Sequence, residues 1–258
     1  MDAIRGCREG DAMTAQSRDD AQARLSGVAD LLWRTRPPGR RGPKPKLTPE
    51  QIADAAIAIA DRGGLPAVTM QHVADELGTA KMALYRYVPG RTEVEALMLD
   101  RALGTPCEPE QDAWQSALTR WATKLYECAS RRPWSIELIQ RPHLPGPNEL
   151  AWFEAGLSAM GELPLEGGEK LDALAMLSGH VMSIIRQQAA GLTPESELAA
   201  ALAPILEQRA GEYPLTVAAF AQSEKSGRDG ALRFGIERMI AGIEALAAER
   251  LRGRQSKR

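Results

Sequence analysis

The first regular alternation of apolar and polar positions begins at "LTPEQIADAAIAIADRGG". Ile52, Ala55, Ala56, Ile59 and Ala60 recur at helical spacing, so one face of this segment is apolar. Its start is also marked. Thr48 suits an N-cap, Pro49 fits the first helical position, and Gln51 completes a capping box three residues after Thr48. Gly63 and Gly64 end the helix. A second, short helix is predicted from Thr69, with Val73, Ala74 and Leu77 turned inward and a stop at Gly78. A third follows in "GTAKMALYRYV". There Leu84 and Val88, four apart, share the core side, and Lys81, Met82 and Tyr85 lie elsewhere around the wheel. Two short helices joined across "LGT" and preceded by a longer one make a helix-turn-helix unit, whose last helix is the candidate reader of a DNA major groove.

The helical period resumes in "PGRTEVEALMLDRALG" through Val94, Leu97, Met98 and Arg101, which predicts a connecting helix. Gly104, Pro106 and Pro109 then mark a domain boundary. Further helices are expected at about 111–130, in "PWSIELIQ", and at about 148–160 and 169–190. One more follows Pro194, and a last one covers about 228–251 after a turn near "EYPLT". β-Branched runs of period two are missing, so the fold class is all-α. Three regions result: a flexible extension over 1–47 made of a polar leader, a short helix around "ARLSGVADLLW" and a basic arm, a helix-turn-helix domain over 48–104, and a larger helical regulatory and dimerisation domain over 105–258.

Composition adds little beyond a globular protein with 44% apolar and 26% charged residues. Charge adds more. The net value of −2 argues against indiscriminate nucleic-acid binding, yet residues 1–47 hold ten Lys/Arg against six Asp/Glu. Arg34, Arg36, Arg40, Arg41, Lys44 and Lys46 follow one another without an intervening acid, in "RTRPPGRRGPKPK", whose prolines and glycines preclude regular structure. Two readings of this arm stand: a solvated linker, or a cationic strand laid along DNA phosphates. Residues 48–104 hold five basic against eight acidic residues, so a DNA surface there has to separate its charges spatially.

Cys7, Cys107 and Cys128 show no metal or disulfide spacing, which suits a reducing cytoplasm. The first twenty residues lack an apolar signal core, and no apolar run of 18 residues occurs, so neither export nor membrane insertion is expected. His143 and His180 stand outside any H-x-x-x-H arrangement and no G-x-S-x-G is present, so the expectation is a protein that is not an enzyme and has no metal or cofactor.

In the C-terminal region the helix from Glu169 is apolar on more than one side. The last helix sets Ile236, Met239, Ile240, Ile243, Leu246 and Ala247 beside small Ala241, Ala245 and Ala248. Either both are core helices, or they also form a four-helix interface across a two-fold axis. Trp114, Trp121, Trp134, Trp152, Phe153, Met176 and Met182 supply large apolar surface, with His143 and His180 as polar partners. They are core residues or the lining of a small-molecule cavity.

The stretch "TMQHVADELGTAKMALYRYVPGRTEVEALM" resembles the DNA-binding domain of tetracycline-repressor-like (TetR) transcriptional regulators. The likeness rests on Leu84–Tyr85, aromatic Tyr87, apolar Val88 and basic Arg91, and covers roughly residues 48–104. It implies that Tyr85 and Tyr87 donate to phosphate oxygens, that Lys81 reaches a guanine edge or a phosphate, and that Met82 touches a thymine methyl. Thr69 and Arg91 would anchor the DNA backbone on either side. Two positions depart from the family pattern. Ala80 stands where a Ser or Thr cap is frequent, which leaves Thr79 for that role, and Gln71 replaces a frequent arginine. The C-terminal region resembles the family's regulatory domain in helical plan only. The resulting expectation is a cytoplasmic homodimeric regulator, a repressor on a palindromic double-stranded DNA operator released by a small-molecule effector. The alternative is a small-molecule carrier or interaction protein that keeps the helix-turn-helix as scaffold.

Overall fold

A computed structural model describes residues 27–33, 47–106, 113–189, 196–226 and 230–255, all of whose regular elements are helical. The leader and the basic arm expected at Arg40, Arg41, Lys44 and Lys46 lie outside the described residues. Two compact units are present. The first contains the chain to Gly104 together with Glu137–Leu150, and the second contains Thr105–Ile136 and Ala151 onward. A single cut after Gly104 is therefore modified by one segment, Glu137–Leu150, that groups with the first unit.

In the first unit, α1 spans residues 27–33 and buries Val28. α2 (Pro49–Gly63) begins with the expected capping box: Gln51 N–H donates to Thr48 Oγ1 at 3.3 Å and Thr48 N–H to Gln51 Oε1 at 2.9 Å. It ends at Gly64, whose φ of 72° only glycine adopts without strain. A 3-10 turn (Leu65–Ala67) leads to α3 (Met70–Glu76), capped by Thr69 Oγ1, which accepts from His72 N–H at 3.1 Å. Gly78, with φ 61°, turns the chain into α4 (Lys81–Leu84). α4 carries no side-chain cap, so Thr79 does not take the capping role expected of it, and its backbone N–H donates to Ala74 O instead. α5 (Arg91–Leu103) packs on α2, with Ile52, Val94 and Met98 almost fully buried.

The second unit contains α6 (Trp114–Ser130), the start of α7 (Trp134–Ile139), most of α8 (Pro147–Ala159), α9 (Gly167–Ala189), α10 (Ser196–Gln208), α11 (Pro214–Ser226) and α12 (Ala231–Gln255). α11 begins at the turn expected near "EYPLT", with Pro214 at its first position. Helices α6, α9 and α12 pack on one another. Their core joins Leu118 and Trp121 of α6, Leu174, Leu177 and Val181 of α9, and Ile236, Ile240 and Ile243 of α12. Gly156 of α8 belongs here because a Cβ would stand 2.5 Å from Leu174 Cδ2 and 3.2 Å from Trp121 Cε2.

Candidate nucleic-acid interface

The core residues of α4 set its outer face. Leu84 and Val88 are wholly buried, and the amides of Tyr87 and Val88 donate to Leu84 O at 2.8 and 3.0 Å, so the turn after α4 stays compact. That burial directs Lys81, Met82, Tyr85 and Arg86 outward. Met82 is 74% exposed and Tyr85 40%, while Tyr87 is half-buried. Exposing a methionine and a tyrosine together is costly in water and suits a surface that meets a partner. Neither phenol hydroxyl has a hydrogen-bond partner among the described residues, so both can donate to an acceptor outside the protein.

Pairing sorts the charges of residues 48–104 without removing their acidic excess. Arg62 bonds Glu76 at 2.7 Å, Arg91 bonds Glu95 at 2.8 Å, and Arg101 bonds Asp54 at 2.8 Å. Of the five basic residues this leaves Lys81 and Arg86, neither of which has a carboxylate partner among the described residues. Both stand on or beside the reading helix. The sequence alone does not mark Arg86 as a site residue, because as an isolated charge it is indistinguishable from a solvated one. The signal lies in which of its neighbours are already paired.

Other expected DNA contacts are placed less openly. Thr69 Oγ1 accepts from His72 N–H, which leaves its hydroxyl proton to donate. The Gln71 amide donates to Asp75 Oδ1 at 2.8 Å. Arg91 uses Nε on Glu95 and Nη2 on Leu65 O at 3.2 Å, leaving three of its five N–H groups. Thr79 is half-buried in the turn before α4.

The expected ligand residues divide. Trp121 and Trp152 meet edge to face at 6.2 Å, and Trp121 Nε1–H donates to Trp152 O at 2.9 Å, so this pair is a satisfied core contact. Trp134 is buried, Trp114 and Met182 are half-buried, and Phe153 and Met176 are exposed. His180 packs its ring against α12, where Gly235 provides the space a Cβ would occupy, and its Nε2 lies 3.2 Å from the carbonyls of Ala231 and Leu232. His143 is in the first unit, apart from the tryptophans, with Nε2 2.9 Å from Glu149 Oε2 and Nδ1 2.8 Å from Arg141 O. The hydrogen bond to Glu149 raises the His143 pKa, with burial working against it. Ser135, which nothing in the sequence marks, is 1% exposed and its hydroxyl has no partner among the described residues.

No group of three metal-ligating side chains occurs among the described residues, and no described helix is long and apolar enough to cross a membrane.

Comparison with known proteins agrees with this geometry. Residues 52–94 match the family model for bacterial regulatory proteins of the tetR family, and residues 105–247 match that for the tetracyclin repressor-like C-terminal domain. The HTH-type transcriptional repressor DrrR1 of Streptomyces coeruleorubidus is 35% identical over 257 residues, spanning 94% of this chain and 92% of DrrR1. The crystal structure of apo ActR from Streptomyces coelicolor superposes with a TM-score of 0.65 at 26% identity, covering 80% of this chain and 98% of ActR. ActR in complex with actinorhodin gives 0.67 at 25% identity, over 77% and 96% of the two chains. With a DNA-reading helix in the first unit and both halves matched, the chain belongs to the tetR family of DNA-binding transcriptional regulators.

Proposed function

We propose that this regulator is a cytoplasmic, homodimeric repressor without catalytic activity that reads a palindromic operator and leaves it when a small molecule binds the second unit. The observation that carries the reading is the outer face of α4. Among the described residues Lys81 and Arg86 have no carboxylate partner while every other basic residue of 48–104 is held by one, and the hydroxyls of Tyr85 and Tyr87 are unengaged. Phenols and Arg86 fix register on phosphates, and Lys81 with Met82 addresses base edges. Thr69, Gln71, Thr79 and Arg91 flank this face as further backbone contacts. Two copies are required because one short helix spans only a few base pairs, and a two-fold dimer sets two such helices in successive major grooves about 34–36 Å apart.

The surface of the second unit supports pairing through α9 and α12. Leu171 and Met176 are 48% and 43% exposed on α9, and small Ala241, Gly242 and Ala245 are exposed on α12. Small residues permit close helix approach, and exposed apolar ones supply the burial. Effector control is supported by ActR, whose structures contain actinorhodin and (S)-DNPA. Repression is supported by the likeness to DrrR1. Trp114, Trp134, Phe153 and Met182 are the apolar candidates for the effector, and Met176, exposed on α9, belongs with the pairing surface instead. The orphaned Ser135 hydroxyl is a polar one, since leaving it unbonded costs about 1–3 kcal/mol that a ligand contact would offset. Selection of bound fragments from genomic DNA tests the reading. Recovery of an inverted repeat is expected, and recovery of fragments sharing no sequence would leave the carrier alternative.

A further inference from the structure

Within the first unit, the segment 141–149 is bonded to the connecting helix α5 at two places. Arg141 Nη1 donates to Glu95 Oε2 at 3.2 Å. Asp100 receives the start of α8: its Oδ1 accepts from Asn148 N–H at 2.8 Å and Glu149 N–H at 3.4 Å, and its Oδ2 accepts from Asn148 Nδ2 at 3.1 Å. The Asn148 amide also donates to Asp100 O at 3.0 Å. Asp100 thus caps a helix that lies 48 residues away in sequence, with a carboxylate at the helix end where negative charge is favoured. Gly146 makes this approach sterically feasible, because a Cβ there would overlap the Asp100 carboxyl. Burial raises the Asp100 pKa and the amides of Asn148 and Glu149 lower it, as expected of a carboxylate taken partly out of water for these bonds.

The same segment is held from two further sides. Glu149 bonds His143, whose Nδ1 contacts Arg141 O, so the loop is braced internally. Trp33 Nε1–H of α1 donates to Pro145 O at 3.3 Å. Meanwhile α5 is fixed to the reading elements through Arg101 to Asp54 of α2 and Arg91 to Leu65 O of the 3-10 turn. The chain enters the segment just after α7 and leaves it within α8, helices that begin and end, respectively, in the second unit. Displacement of 141–149 would therefore act directly on α5 and on the helices bonded to α5.

We propose that Asp100 is a positioning residue for DNA binding: with Asn148 and Gly146 it forms a polar latch that holds α5, and through it α4, in the DNA-reading arrangement. The inference rests on the regulator reading above and names the contact through which that activity is controlled. A charge exchange on the full chain tests it. Asn148→Asp sets a second carboxylate against Asp100 and removes the donor to Asp100 O, and Asp100→Asn in the same chain restores only the side-chain donor–acceptor pair. Asn148→Asp should weaken operator binding at least about tenfold, within the coupling found for residues sharing one network, and the double variant should recover part of that loss, short of wild type because the bond to Asp100 O stays broken. Amide exchange at residues 148 and 149 should rise in the single variant and return in the double one, with α2 unchanged. Equal affinity of wild type and Asn148→Asp overturns the latch, as does equal loss in the single and double variants. A wild-type chain without sequence preference overturns the regulator reading itself and this inference with it.

Discussion

Lys81 and Arg86 differ in what each loss should do to DNA binding. Lys81 opens α4 on its exposed face, and if it reads a base edge as proposed, Lys81→Ala should cost about 1–3 kcal/mol and relax preference at one position of each half-site. Arg86 follows α4 on the turn, so Arg86→Gln should weaken all sequences alike and reduce the salt slope by about 1 per protomer. Titrations on a set of single-base operator variants separate the two, and indistinguishable profiles would remove Lys81 from base reading. His143 carries a prediction of another kind. Its pKa in the folded protein is raised above the usual 6.5 by Glu149, so its stabilisation is complete below 6.5 and is lost as pH climbs through the raised folded value. Thermal midpoints across that window should fall for the wild type more than for His143→Gln. A parallel pair of curves would mean the Glu149 contact contributes nothing to folding.

At the scale of helices, what the sequence shows depends on how local the cause is. The capping box at Thr48 and Gln51 and the glycine stops at Gly64 and Gly78 act within a few residues, and the helices of the first unit follow them. Helix α11 is not legible in the sequence because its apolar residues mark no single stripe, and most of the described ones stay exposed. The grouping of 137–150 with the first unit depends on Asp100 meeting Asn148, a long-range pairing that no local pattern encodes. Periodicity in α12 shows that Ile240 and Ile243 share a face but not what covers it. Both are buried within one protomer, whereas Ala241 and Ala245 stay exposed. This distinction decides where a dimer test should place its charge. Ala245→Arg should yield folded monomers with reduced operator affinity, while Ile240→Asp should unfold the second unit by burying an unpaired charge. Sedimentation with circular dichroism checks both, and a folded dimer of Ala245→Arg would place the pairing surface elsewhere.

For the whole molecule the issue is how a chain of net charge −2 approaches a polyanion. Pairing within 48–104 leaves two carboxylate-free cations per protomer, four in a dimer, fewer than the roughly six to ten phosphate contacts that give a complex its strong salt dependence. The six positive charges of 34–46 could supply the remainder. Replacing Arg40, Arg41, Lys44 and Lys46 by glutamine should therefore flatten the dependence of log K on log salt and leave dimerisation intact. Superimposable slopes would make that stretch a linker. The central claim, that the exposed face of α4 reads a specific sequence, is tested most directly by the ratio of dissociation constants for a selected operator and its scrambled counterpart at physiological salt. A preference of about 10³–10⁷, or roughly 4–10 kcal/mol, is predicted for the full chain, and equal affinities would contradict it.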